Sequence, residues 1–202
     1  MFRFAITDRR LTAPGEELPE AELRERLVAR CAELAALGVD FVLIREKNLA
    51  AGSLTQPSRA IVTSIRNTGA STKVLIARRP DIAIAVAADG VHLSAAPGEL
   101  TPGDVRRLIP NAFVSVSCHT LEEVQRARDL GASAILFGPI FGKVVAGVEV
   151  VPGIGLEPLR HACTLAGDTP VFALGGITTV NAAACISAGA AGIAGIRMFF
   201  SS

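Results

Sequence analysis

Residues 37–48 read Leu-Gly-Val-Asp-Phe-Val-Leu-Ile-Arg-Glu-Lys-Asn. Gly38 stands at the end of an amphipathic stretch over 19–37, where a helix stops in a left-handed residue, and the apolar run that follows breaks off in charge. Helix end, short buried strand and polar strand end are the units of a βα repeat whose strands run parallel. The same order returns in Leu-Gly-Ala-Ser-Ala-Ile-Leu-Phe-Gly (130–138) and Ala-Gly-Ala-Ala-Gly-Ile-Ala-Gly-Ile (188–196), with Gly131 and Gly189 in the place of Gly38. A fainter echo, Asp-Gly-Val-His-Leu (89–93), has its Gly90 out of that spacing.

Working outward, apolar runs fall near 3–6, 40–45, 73–77, 89–93, 113–117, 134–138, 170–174 and 192–196. Helical spacing is clearest over 19–37, 54–67, 80–87, 102–109, 120–130, 155–166 and 179–188. Eight strands with helical returns in 202 residues predict one (β/α)8 TIM-barrel domain over 1–202 rather than an open doubly wound sheet. No GxGxxG opens a helix after the first strand, which also speaks against a dinucleotide fold. Few residues follow the last strand, so the last outer helix is expected to be short or missing. Met198, Phe199 and Phe200 would then be masked by a neighbouring subunit, by an earlier helix, or by a short turn folding back on its own barrel. A homo-oligomer is the expectation.

Composition narrows the function classes. Twenty Lys+Arg against 19 Asp+Glu leave a net charge of +1, without the excess that marks nucleic-acid or acidic-membrane binding. Trp and Tyr are absent, which removes the usual stacking platforms for single strands. No apolar run approaches the roughly 20 residues of a membrane span, and the opening Met-Phe-Arg-Phe-Ala-Ile-Thr-Asp lacks the pattern of a signal peptide. The expected location is the cytoplasm. Cys31, Cys118, Cys163 and Cys185 lie far apart and read as free thiols, not as a disulfide framework or a zinc site.

In such a barrel, chemistry gathers at the carboxyl ends of the strands. Period-two alternation puts Leu43, Arg45 and Lys47 on one side of the second strand and Glu46 on the other, so two cations would face the mouth as an anion site. Gly175 and Gly176 lead the seventh strand towards a helix capped by Thr178, and Gly195, Ile196 and Arg197 close the eighth; together they would offer backbone N–H groups to a phosphate. Ser117 and His119 end the fifth strand, where an imidazole can act as acid or base near neutral pH, although Thr120 and Glu123 could equally cap the helix that follows. His92 alternates with Gly90 and could face the interior, whereas His161 falls on a helix surface. Neither a Gly-x-Ser-x-Gly elbow nor His-Glu-x-x-His is present.

Taken in order, Ala-Ile-Thr-Asp (5–8), Leu-Ile-Arg-Glu-Lys (43–47), Ala-Asp-Gly-Val-His-Leu (88–93), Ser-Val-Ser-Cys-His-Thr (115–120), Phe-Gly-Pro-Ile-Phe (137–141) and Leu-Gly-Gly-Ile-Thr (174–178) resemble the thiamine-phosphate synthase and TenI superfamily over nearly the whole chain. The resemblance implies one of two activities. The synthase joins a pyrimidine pyrophosphate to a thiazole phosphate with Mg2+, and the TenI branch isomerises a thiazole carboxylate phosphate tautomer to its aromatic form. The synthase pattern Gln-x-Arg-x-Lys has Leu43 at its Gln, Asn-Asp after the third strand is here Ala77 and Arg78, and Gly-Gln-x-Asp is here Ser94, Ala95, Ala96 and Pro97. Both carboxylates implied for Mg2+ are therefore missing, and Arg78 would repel the ion. The Thr-x-Thr-Lys of the family is not recognisable in 142–147, where Lys143 could still supply a cation.

The resulting expectation is a TenI-like isomerase, a thiazole tautomerase working on a phosphorylated thiazole without metal or other cofactor. Its phosphate would lie on Gly175, Gly176, Gly195, Ile196 and Arg197, its other end on Arg45, Lys47, His92 and Lys143, and its proton would move through His119 and Ser117. The alternative is thiamine-phosphate synthase with Mg2+, Arg78 and Lys143 replacing part of the metal's charge. A third reading is a barrel that binds a thiamine precursor without turning it over.

Overall fold

The computed structural model describes residues 1–145 and 148–200, with the side chains of 143–150 left aside. Eight parallel strands close into a ring in the order β1 (Phe2–Ile6), β10 (Gly192–Gly195), β9 (Val171–Leu174), β6 (Ala134–Phe137), β5 (Phe113–Cys118), β4 (Gly90–Ser94), β3 (Lys73–Ala77) and β2 (Phe41–Ile44). Outside them lie α1 (Glu20–Ala36), α2 (Ala51–Asn67), α3 (Pro80–Val86), α4 (Pro102–Leu108), α5 (Leu121–Asp129), α6 (Leu156–Ala166), α7 (Ala182–Ser187) and α8 (Arg197–Phe200). This is the (β/α)8 barrel read from the sequence, with every expected strand in place. Gly38, Gly131 and Gly189 have φ of 77°, 77° and 101°, so the repeated glycine does end each helix in a left-handed residue. Gly90 serves another purpose: a Cβ there would come within 1.8 Å of the Phe113 carbonyl oxygen.

Alternation along the strands divides the apolar residues between two cores. Phe4, Ile6, Phe41, Leu43, Leu75, Leu136 and Phe172 fill the lumen, while Val42, Ile44, Ile76, Val114, Ile135 and Ile193 face the helices. Aromatic rings pack the lumen: Phe4 stacks on Phe41 at 5.0 Å, and Phe172 meets Phe41 edge-on at 5.6 Å.

Two features depart from the sequence expectation, and a third decides between its alternatives. Between β6 and α6 stands a separate antiparallel pair, β7 (Lys143–Val145) and β8 (Val148–Val151). Its signal, valine runs either side of Ala-Gly, is too short to stand out from a loop. The helix expected over 179–188 begins only at Ala182, because Thr178 and Asn181 exchange bonds across a turn first: Thr178 N–H donates to Asn181 Oδ1 at 2.8 Å. Finally, Phe199 and Phe200 are 5% and 1% exposed, sheltered within their own chain, and Arg30 Nε donates to the Phe199 carbonyl at 2.8 Å. A short turn folding back on its own barrel therefore covers this end, and these residues give no reason to invoke a neighbouring subunit.

Glu46, on the outer side of the β2 extension, is buried in a charge network. It accepts from Thr7 Oγ1 at 2.6 Å and Arg9 Nη1 at 2.9 Å, and Arg9 Nε in turn reaches Glu20 Oε1 at 2.6 Å. The Thr7 hydroxyl also accepts the Arg45 N–H at 3.0 Å, so the network fixes the segment that carries Arg45. Arg9→Met should lower the unfolding free energy by about 3–5 kcal/mol in urea denaturation, because it leaves the Glu46 charge buried without its guanidinium. A further Glu46→Leu change in the same chain should restore part of that loss.

Candidate functional site at the carboxyl rim of the barrel

The carboxyl ends of all eight strands open on one rim, so each polar side chain just past a strand faces a common mouth. The adjacent strands β4 and β5 pair His92 with Ser115. Both serines of β5 reach the ring: His92 Nδ1 lies 2.8 Å from Ser115 Oγ, and Nε2 lies 2.8 Å from Ser117 Oγ. Ser115 is fully buried and His92 is 6% exposed, with Ser117 half-buried above them. Burial, helped by the nearby Arg45 charge, pushes the His92 pKa down to about 3, so the ring is neutral. His92, expected among the ligand-binding residues, has both ring nitrogens hydrogen-bonded to serines of β5.

His119 follows β5 and is exposed. Its Nδ1 lies 2.6 Å from the Gly138 carbonyl oxygen, which can only accept, so Nδ1 carries a hydrogen and, in the neutral ring, Nε2 holds the lone pair. The backbone N–H of His119 donates to Glu123 Oε2 at 2.6 Å, while Thr120 Oγ1 accepts the Glu123 N–H at 3.2 Å. The cap expected from Thr120 and Glu123 is thus formed, and it holds His119 rather than competing with it.

Arg45 is half-buried, and among the described residues its guanidinium has no hydrogen-bonded partner. Burial lowers its pKa from the ordinary value; Asp8 opposes this and Arg78 adds to it, so all three charges share the same neighbourhood. Lys47 sits in the exposed turn beyond, apart from the half-buried Arg45. Arg78 occupies the left-handed region with φ of 60°, uncommon for a residue with a long side chain, and its side chain forms an ion pair with Glu99 from the loop after β4. Glu99 was not singled out in the sequence, where nothing in its spacing ties it to Arg78.

Gly175 and Gly176 have φ of 96° and 64°. A Cβ on Gly175 would lie 2.6 Å from Pro139 Cα, and one on Gly176 would lie 2.5 Å from the Phe141 carbonyl oxygen. The loop after β6 is seated on them, with Phe141 N–H donating to the Gly175 carbonyl at 3.0 Å. Glycine is therefore required here by the packing of that loop, whatever ligand the backbone also binds. Beside them, Gly195 ends β10, Ile196 packs against the lumen residues, and Arg197 is exposed. Lys143 begins β7, and its side chain lies outside the described residues. His161 is exposed on α6, as expected. Cys118 and Cys163 have pKa values pushed up by burial to about 12 and about 11, which suits inert thiols.

Residues 15–199 match the family model described as thiamine monophosphate synthase. The chain belongs to that family. It is 38% identical over 196 residues to a putative thiamine-phosphate synthase 2 of Aquifex aeolicus, covering 97% of this chain and 96% of the relative. It is 34% identical to a thiamine-phosphate synthase of a Roseiflexus species, covering 95% of this chain and 75% of that one. A solved thiamine phosphate pyrophosphorylase from Pyrococcus furiosus superposes with a TM-score of 0.80 at 28% identity, over 100% of this chain and 88% of the other. These names stand nearer to the synthase alternative than to the isomerase expected from the sequence. Membership places the protein in thiamine biosynthesis, as an enzyme family acting on phosphorylated small molecules. No helix among the described residues is long and apolar enough to cross a membrane.

The Mg2+ associated with the synthase reaction finds poor ligands in this member of the thiamine monophosphate synthase family. Where carboxylates are expected after β3, the rim has Ala77 and an Arg78 paired to Glu99, with the Arg45 charge close by. Among the described residues no three His, Cys, Asp or Glu side chains gather in a way that could hold a metal ion. Mg2+ asks for carboxylate oxygen and is repelled by guanidinium, so this donor set does not fit it.

The buried neutral histidine has a consequence for acid stability. An unfolded His92 takes up a proton below pH 6.5, whereas the folded one does not until about pH 3. Across that window the unfolded state holds the extra proton, so stability falls on acidification by up to about 1.4 kcal/mol per pH unit. Urea denaturation from pH 7 downward should show this slope in the wild type, and it should be shallower by that amount in His92→Gln.

Proposed function

We propose that this chain is an isomerase of thiamine biosynthesis that moves a proton on a carboxylated thiazole phosphate, turning one tautomer into the aromatic one. The observation that carries the reading is His119, whose Nδ1–H is given to the Gly138 carbonyl, so that Nε2 is the nitrogen through which the ring can exchange a proton at a rim that carries guanidinium groups. The substrate phosphate would lie on the backbone N–H groups around Gly175, Gly176, Gly195 and Ile196, with Arg197 at its edge. The substrate carboxylate would face Arg45, with Lys47 and Lys143 as outer cations. His119 Nε2 takes a proton from one ring position and, as imidazolium, returns it to another, so the enzyme ends in the state in which it began. The acid–base step needs no metal, which agrees with a rim that suits anions.

A second reading, thiamine-phosphate synthase, is favoured by the names of the relatives. The two separate on product. Purified protein given the carboxylated thiazole phosphate tautomer should yield the aromatic isomer, and His119→Ala should lower kcat about 10²–10⁴-fold with substrate affinity nearly unchanged. Arg45→Ala should act mainly by raising KM. Formation of thiamine phosphate from pyrimidine pyrophosphate and thiazole phosphate with Mg2+, at an enzyme's rate, would establish the synthase instead. Binding without either product would leave only a precursor-binding barrel.

A further inference from the structure

The chain Ser115–His92–Ser117 has a direction that hydrogen-bond bookkeeping fixes. A neutral imidazole has one N–H and one lone pair, so one serine must donate to the ring and the other must accept from it. Ser115 Oγ is fully buried, and among the described residues His92 Nδ1 is its only hydrogen-bond partner. If Nδ1 carried the hydrogen, the Ser115 hydroxyl would accept it and its own hydrogen would have no acceptor in a closed site, at the cost of an unsatisfied buried donor. In the opposite arrangement every buried group is satisfied. Ser115 donates to Nδ1, and Nε2–H donates to Ser117 Oγ. Ser117 has then spent one oxygen lone pair inward and keeps its hydrogen, which the ring no longer needs, for a partner at the mouth. Protonating the ring would break this order, but burial and the Arg45 charge hold it neutral.

We infer that Ser115 and His92 are positioning residues that free the Ser117 hydroxyl hydrogen for the mouth, so that Ser117 serves there as a hydrogen-bond donor to an acceptor on the bound ligand: a carboxylate oxygen or a ring nitrogen lone pair. Ser117 is thereby a specificity-determining group and not a base, a role left to His119. The naming of a carboxylated thiazole as that ligand rests on the proposed function; the direction of the chain does not.

The direction can be read without substrate. The protein has three histidines, so long-range 1H–15N correlations of the 15N-labelled chain are assigned by removing His119 and His161 in turn. His92 should show the Nε2–H tautomer, and His119, bonded to the Gly138 carbonyl, the Nδ1–H tautomer as an internal contrast. A His92 in the Nδ1–H form, or an imidazolium at neutral pH, would overturn the inference whatever the substrate proves to be. Binding gives the second arm. Ser117→Ala should weaken the carboxylated thiazole phosphate about tenfold and leave inorganic phosphate unchanged. Ser115→Ala should produce part of the same loss, and Ser115→Thr, which restores the hydroxyl, should recover it. Equal losses for both probes, or none for either, would count against Ser117 as the donor.

Discussion

Everything at the rim depends on how the lumen is filled. Eight parallel strands close on an interior just wide enough for side chains, and here that interior is packed with phenylalanine and aliphatic residues. Below the mouth a polar group survives only if its hydrogen bonds are completed by neighbours on the same strands. The Ser115–His92–Ser117 chain meets that condition through the register of β4 on β5. Unpaired polar groups are thereby kept out of the packed lumen.

The electrostatics of that end follow from what stands at each strand terminus. Arg45 is held by a backbone bond to Thr7, itself part of the buried Glu46–Arg9 network, so a structural ion pair on the outer side sets the place of a cation on the inner side. Arg78 and its Glu99 partner lie next to it. Of the two arginines, Arg45, whose guanidinium has no hydrogen-bonded partner among the described residues, is the group placed to attract a carboxylate or phosphate, while Arg78 is already paired to Glu99. Within a family whose relatives carry the synthase name, this substitution of cations for carboxylates is the physical ground for reading proton transfer rather than diphosphate displacement.

Much of the architecture was legible because it is written in local periodicity. Strand runs, helix stripes and the recurring glycine before a strand each depend on a few consecutive residues, and all eight strands followed from them. The β7–β8 pair was not legible, since three- and four-residue strands with a valine run carry too little pattern. The rim was legible in its residue types but not in its partnerships. Ser117, His119, Arg45 and the glycines were named from their places at strand ends, yet His92's two serine partners and Arg78's Glu99 lie 21 to 25 residues away along the chain.

The sequence by itself therefore determined the barrel and the set of groups that ring its mouth, because alternation and capping are short-range constraints on the backbone. Only the tertiary structure decided what each group is free to do. It gave His119 a carbonyl on one nitrogen and, among the described residues, no partner on the other, closed both nitrogens of His92, and gave Gly175 and Gly176 a packed loop to accommodate. Hydrogen-bond capacity is spent between strands that meet in space, and no spacing along the chain records how it is spent.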